Sequence, residues 1–159
     1  MTTPTIPEFD ASNTVFYDDS TDSQYFHEHF NPDEYLYVKC TSAYDGDTCS
    51  VDCYLRIDEK TGKFTQVVDE SGVIPHIYKL KLRLAEINAP EIRTRDAIEK
   101  ERGLKSRDYL RSRILGKIIR IRVKDKLDKY GRNIAWLYDG DENLNDNMVT
   151  MNHAVYKKY

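Results

Sequence analysis

The chain has no apolar run approaching the roughly 20 residues needed to span a bilayer. Its first ten residues have neither the basic stretch nor the apolar stretch of a secretory signal. These two absences exclude a helical membrane anchor of ordinary length and predict an intracellular protein that makes no use of a membrane. Cysteine is scarce. Cys40, Cys49 and Cys53 are an odd set with no Cys-x-x-Cys pair, which excludes a disulfide scaffold. Their spacing does not suit structural zinc with His76 or His153, so buried free thiols are expected. Lysine and arginine are absent from residues 1–38, where eight acidic residues occur (Glu8, Asp10, Asp18, Asp19, Asp22, Glu28, Asp33 and Glu34). Internal repeats and low-complexity runs are also missing.

The net charge of −3 therefore conceals an asymmetry. Beyond residue 38 the 24 basic residues face 19 acidic ones, a surplus of five. Residues 79–132 alone hold 18 basic against 8 acidic residues. Such a stretch suits a polyanionic partner, although solvated helix charges account for part of it. Residues 1–33 read as a separate acidic extension that carries Phe9, Phe16, Tyr17, Tyr25, Phe26 and Phe30. Its aromatics make docking on its own domain or on a protein partner an alternative to a weakly ordered tail. Residues 34–159 read as one domain.

That domain alternates as strands do. Leu36, Val38 and Cys40 form one inward set, and Cys49, Val51, Cys53, Leu55 and Ile57 form the next. Asp45-Gly46-Asp47 between them predicts a tight turn with a positive-φ glycine. A short strand and a loop are expected over residues 63–76. Tyr78, Leu80, Leu82 and Leu84 make a further inward set, which leaves Arg83 on the polar face where a ligand could meet it. Asp96 followed by Glu99 predicts a capping box. The helix after it, about Ile98 to Leu115, would carry Leu104, Leu110 and Ile114 inward and stop at Gly116. Ile119–Val123 and Ile134–Tyr138 are the last two strands, joined by a turn at Asp128–Gly131. A short helix follows over Leu144–Asn152. The expected fold is α+β dominated by β, a five-stranded Greek-key barrel of the oligonucleotide/oligosaccharide-binding (OB) type with one main helix and a short second one.

Four residues have the chemistry that phosphodiester hydrolysis needs. Asp47, after a turn, can bind a hard cation through oxygen. Glu91, fixed by Pro90, suits a general base. Arg83 and Arg132 can grip phosphate oxygens in bidentate fashion. Taken singly, each is as readily a turn residue or a surface charge.

Their order is more specific. Asp45-Gly46-Asp47-Thr48, then Arg83-Leu84, then Ala89-Pro90-Glu91, then Asp128-Lys129-Tyr130-Gly131-Arg132 resembles the staphylococcal nuclease (thermonuclease-like) family over roughly residues 35–159. The resemblance implies calcium-dependent cleavage of DNA and RNA that leaves 3′-phosphate ends. It implies metal ligation by Asp47 and the Ala89 carbonyl, water activation by Glu91 and phosphate clamping by Arg83 and Arg132. Lys129 and Tyr130 would lie beside the nucleotide phosphate, and Tyr156 or Tyr159 would flank the base. Asn88 departs from this pattern, because the family usually places a second metal-binding aspartate there. An amide oxygen ligates without charge, so weaker calcium binding is expected, with magnesium or manganese as alternatives. The same departure leaves open a non-catalytic nucleic-acid or protein-binding barrel. Two architectural departures are residues 58–76, a longer excursion than compact members have, and the lack of a third helix beneath the barrel, for which the extension could substitute.

Overall fold

The computed structural model describes residues 16–18, 26, 28–32, 34–67 and 76–157. In chain order the strands are β1 (Phe16–Asp18), β2 (Leu36–Asp45), β3 (Thr48–Ile57), β4 (Phe64–Gln66), β5 (His76–Leu84) and β6 (Ile87–Asn88), followed by helix α1 (Ala97–Ile114). Then come β7 (Ile118–Leu127), β8 (Asn133–Asp139), β9 (Glu142–Asn143), helix α2 (Leu144–Thr150) and β10 (Val155–Tyr156). Hydrogen bonds run in the order β5-β3-β2-β7-β8, and β8 returns to β5 in parallel, with Arg83 opposite Ile134. That last pairing closes the sheet into the expected five-stranded OB-type barrel. β1 adds in parallel to β5, and β10 pairs with β6 in a separate two-stranded ribbon.

The alternating residues fill the barrel. Val38, Cys40, Cys49, Val51, Cys53, Leu80, Leu82, Leu84, Ile121 and Leu137 are all buried. In β2 the period of two breaks at a register shift between Cys40 and Ser42, after which Ala43 takes the inward position, and a second shift follows between Ala43 and Asp45. The three cysteines are free and buried, and burial pushes the Cys40 thiol up to about 12. Two aromatics of the N-terminal extension join this core. Phe26 and Phe30 stack at 5.1 Å, and Phe26 stacks on Phe64 at 5.7 Å. Among the described residues no helix is long and apolar enough to cross a membrane.

Helix α1 starts as read. The Asp96 side chain accepts from the backbone N–H groups of Ile98 and Glu99. The reciprocal half of the capping box is absent, because the Glu99 carboxylate turns toward Thr94 Oγ1 and the Glu91 N–H. The inward stripe also differs from the expected one. Gly103, Ser106, Leu110 and Ile114 are buried, whereas Leu104 is only half-buried. Small residues hold the first half of the stripe because the helix approaches other backbone there. A Cβ on Gly103 would lie 2.9 Å from the carbonyl oxygens of both Pro90 and Glu91. Gly103→Ala is therefore expected to destabilise by about 1–3 kcal/mol, outweighing the ~1 kcal/mol gain in helix propensity. Urea unfolding would measure this, and a variant as stable as the parent would show that the Pro90–Glu91 segment yields freely.

Asn145 was not singled out in the sequence. It is buried on α2 and ties that helix to the barrel. Its amide donates to Ala85 O (3.0 Å) and Ala135 O (3.1 Å), and its oxygen accepts from Leu137 N (3.1 Å).

Candidate active site

The turn between β2 and β3 is two residues long, Gly46 and Asp47, and its glycine is there for space. Gly46 has no positive φ, contrary to the sequence expectation. A Cβ at this position would stand 2.8 Å from the Cβ atoms of both Ala89 and Ser106. The turn is thus wedged between the segment after β6 and helix α1. This close approach delivers Asp47 to the end of β5, where its carbonyl accepts from Leu84 N at 2.8 Å.

Four of the residues singled out in the sequence come together here. Asp47 Oδ2 accepts from the Ala89 N–H at 2.7 Å and lies 3.3 Å from Arg83 Nη2. Arg83 Nη2 also donates to Asn88 Oδ1 at 2.8 Å, and Nη1 donates to Leu84 O at 3.0 Å. Thr48 Oγ1 donates to Asp47 Oδ1. Alternation turns Arg83 away from the barrel core, but the residue is not open to water, since both side chains of the ion pair are only 10% exposed.

Burial raises the Asp47 carboxyl to about 6. The neighbouring Asp45 carboxylate adds to the rise, while Arg83 and the Ala89 N–H oppose it. The site is thus short of positive charge around two carboxylates, and its free lone pairs are on hard oxygen. That donor set fits a hard cation such as calcium or magnesium. It is a sparse set. Among the described residues no group of three or more His, Cys, Asp or Glu side chains gathers to hold a metal.

Glu91 lies two residues beyond Ala89 on irregular backbone and is exposed. Its position is held from outside. The Asp47 carboxylate fixes Ala89, Glu99 Oε1 accepts from the Glu91 N–H at 3.4 Å, and Gly103 packs on the Pro90 and Glu91 carbonyls. Neither supporting residue was recognised from the sequence. Gly103 reads there only as a weak helix former, and Glu99 only as a cap.

Arg132 belongs to a second group, at the β7–β8 turn. Asp128, overlooked as a site residue, organises this turn. Its carboxylate accepts from Tyr130 N (2.9 Å), Arg132 N (2.8 Å) and Arg132 Nε (2.8 Å). An aspartate followed by Gly-Arg within four residues is the signal that could have shown it. Tyr130 is 71% exposed, with Lys129 Nζ 5.1 Å and the Arg132 guanidinium 5.3 Å from its ring centroid. Arg132 immediately precedes Asn133, the first residue of β8, which pairs with Leu82, while Arg83 pairs with Ile134. The hydrogen bonds of Arg132 stay within its own turn.

The β10–β6 ribbon places Tyr156 opposite Ile87 and Val155 opposite Asn88, and the Tyr156 hydroxyl donates to Asp146 Oδ1 at 3.2 Å. Tyr159 lies outside the described residues. A cleft of about 780 Å³ opens beside Asn88 and Ala89, bordered by Arg102 and Lys105 of α1 and by His153. It provides room for a ligand next to the Asp47–Arg83 cluster.

Comparison with curated proteins gives no match. Residues 81–159 match the family model described as staphylococcal nuclease homologue. The match spans Arg83, Asn88, Ala89, Glu91, Lys129, Tyr130, Arg132, Tyr156 and Tyr159, while Asp47 comes from the preceding hairpin. With the closed OB-type barrel, this match gives residues 81–159 a staphylococcal nuclease homologue domain match and the barrel a nuclease-type fold.

Proposed function

We propose that this chain is a metal-dependent nuclease that hydrolyses phosphodiester bonds of DNA or RNA. The observation that carries the reading is the hydrogen-bonded cluster of Asp47, Arg83, Asn88 and Ala89, with Glu91 held two residues further along. Asp47, the Asn88 side-chain oxygen and the Ala89 carbonyl would hold the cation, with calcium the first candidate and magnesium or manganese the alternatives that Asn88 admits. The bound cation would neutralise phosphate charge and position the attacking water. Glu91 takes that water's proton as the new O–P bond forms. Arg83 and Arg132 stabilise the charge that accumulates on the phosphate oxygens. The P–O5′ bond breaks and the departing oxygen takes a proton from solvent, which leaves the 3′-phosphate implied by the family resemblance. Lys129, Tyr130, Tyr156 and Tyr159 would hold the flanking nucleotide.

A cleavage assay on single-stranded DNA and on RNA, titrated in parallel with calcium, magnesium and manganese, tests this reading. Activity is expected with at least one metal and is expected to vanish in chelator. No turnover with any of the three would sink it. A second reading, a non-catalytic nucleic-acid or protein-binding barrel, is favoured by one observation. Asn88 brings no charge, and its oxygen is already engaged by Arg83. Salt-sensitive oligonucleotide binding without cleavage would decide for that reading.

A further inference from the structure

The outer face of the β7–β8 hairpin has a composition that the barrel itself does not require. Ile119, Ile121 and Val123 of β7 and Ala135 and Leu137 of β8 point inward and are buried. The alternate positions carry Arg120, Arg122 and Lys124 on one strand and Trp136 and Tyr138 on the other, with Arg120 opposite Tyr138 and Arg122 opposite Trp136. Tyr35, just ahead of β2, meets Tyr138 edge-on at 5.5 Å.

Cations and rings interleave here. The Arg120 guanidinium lies 4.3 Å from the Tyr35 centroid and 5.3 Å from that of Tyr138. Arg122 is 6.0 Å from Tyr35, and Lys124 Nζ is 5.5 Å from Trp136. Arg120 is further held by its bond to Gly140 O, so it braces the two tyrosines. Arg122, by contrast, is exposed. A recess of about 550 Å³ opens beside it, lined by Pro32, Arg122, Lys124, Asp125, Trp136 and Tyr138.

We propose that this face binds single-stranded nucleic acid, with Trp136 and Tyr138 stacking bases while Arg122 and Lys124 hold phosphates. Every base offers a π-face to an aromatic ring, and such stacking contributes about 1–3 kcal/mol per base. Bases in a duplex are already stacked on one another, so the surface selects single strands. The same hairpin ends in the Lys129-Tyr130-Arg132 turn. From Tyr138 back to Arg132 is about 20 Å of strand, enough for a few nucleotides to run from this face toward the catalytic cluster. The strand's role as substrate rests on the nuclease reading above, whereas the binding does not depend on it.

Trp136 is the only tryptophan in the chain, so its emission reports on this face alone. In chelator, where nothing is cleaved, wild-type protein is titrated with labelled oligothymidylate of about twelve nucleotides, within the ~4–16 that one such barrel covers. Binding is followed by anisotropy and by Trp136 emission. Quenching is expected to track binding, to weaken with salt and to be much smaller with a duplex of equal length. Arg122→Glu, at an exposed position, is expected to weaken binding about tenfold and to lower the salt slope by roughly one phosphate. Binding without quenching, unchanged affinity in Arg122→Glu, or equal quenching by polyglutamate would each overturn the proposal, the last in favour of an acidic protein partner. In the presence of metal, Arg122→Glu should raise KM for the oligonucleotide and leave hydrolysis of a dinucleotide unchanged. If neither is cleaved by the parent protein, the nuclease reading fails, while the metal-free titration still decides the binding face.

Discussion

Glu91→Gln is expected to lower kcat by about 10²–10⁴-fold, the usual contribution of a general base. The substitution keeps the side chain's size and its place on exposed backbone, and it removes only the ability to accept the water's proton. No side-chain hydrogen bond or ion pair of Glu91 is lost within the described residues, and exposed substitutions of this kind usually change stability by less than about 0.5 kcal/mol. The expected result is a variant with unchanged Tm, near-unchanged KM for single-stranded DNA and a rate close to background. Steady-state kinetics with the metal that supports the parent enzyme would measure this. A variant within a fewfold of the parent kcat would remove Glu91 from the chemistry and move the search for a base elsewhere on the barrel.

Arg83→Ala should be the most destabilising of the single changes considered, by about 3–5 kcal/mol, because it leaves one half of a buried ion pair uncompensated. Arg83 is the cation within reach of Asp47, and it also satisfies Asn88 Oδ1 and Leu84 O. For a chain of this size that loss corresponds to a fall in Tm of roughly 6–20 °C, read by thermal denaturation in metal-free buffer.

The pH dependence has a definite sign. The folded Asp47 carboxyl already titrates near 6 against an ordinary 3.8, because burial disfavours its charge, and losing Arg83 raises it further. A carboxyl with a raised folded pKa favours the fold when protonated, and that advantage is lost as pH rises through the folded value. The deficit of Arg83→Ala should therefore be largest at high pH, shrink as pH falls toward 6 and lose its charge-dependent part below 6, where Asp47 is protonated with or without Arg83. Adding Asp47→Asn removes the orphaned charge and should recover part of the loss, a coupling that the double-mutant cycle measures. A deficit that is independent of pH, with no recovery in the double variant, would mean that the Asp47–Arg83 pair does not hold this end of the barrel. Activity would fall in both variants, so stability is the readout that separates the roles.

Local order was legible from local pattern. Alternation set the core residues Cys49, Val51, Cys53 and Leu55 of β3 and Leu80, Leu82 and Leu84 of β5, although Ile57, expected inward, is exposed at the end of β3, and Asp96 and Gly116 marked the two ends of α1, because both signals depend only on near neighbours. The candidate site was legible through order and spacing, with Asp47, Arg83, Asn88, Ala89, Glu91 and the Asp128–Arg132 turn all recognisable as short patterns.

Tertiary structure decided matters that involve distant chain segments. The bond from Ala89 N to Asp47 Oδ2 joins residues 42 positions apart, and nothing near either residue announces it. Gly46 and Gly103 look like a turn former and a weak helix position, yet each is required where foreign atoms would crowd a Cβ. Phe26 and Phe30 sit in an acidic extension by composition, but the core takes them because Phe64 offers rings to stack on. Arg83 faces away from the core as alternation requires, and only the approach of the β2–β3 turn and β6 buries it as the counter-ion of Asp47. Sequence alone thus determined which segments are strands and helices and which residues have suitable chemistry. The closure of β8 onto β5 and the packing of α1 against the Pro90–Glu91 segment decided which of them meet, since those contacts form only once the barrel is shut.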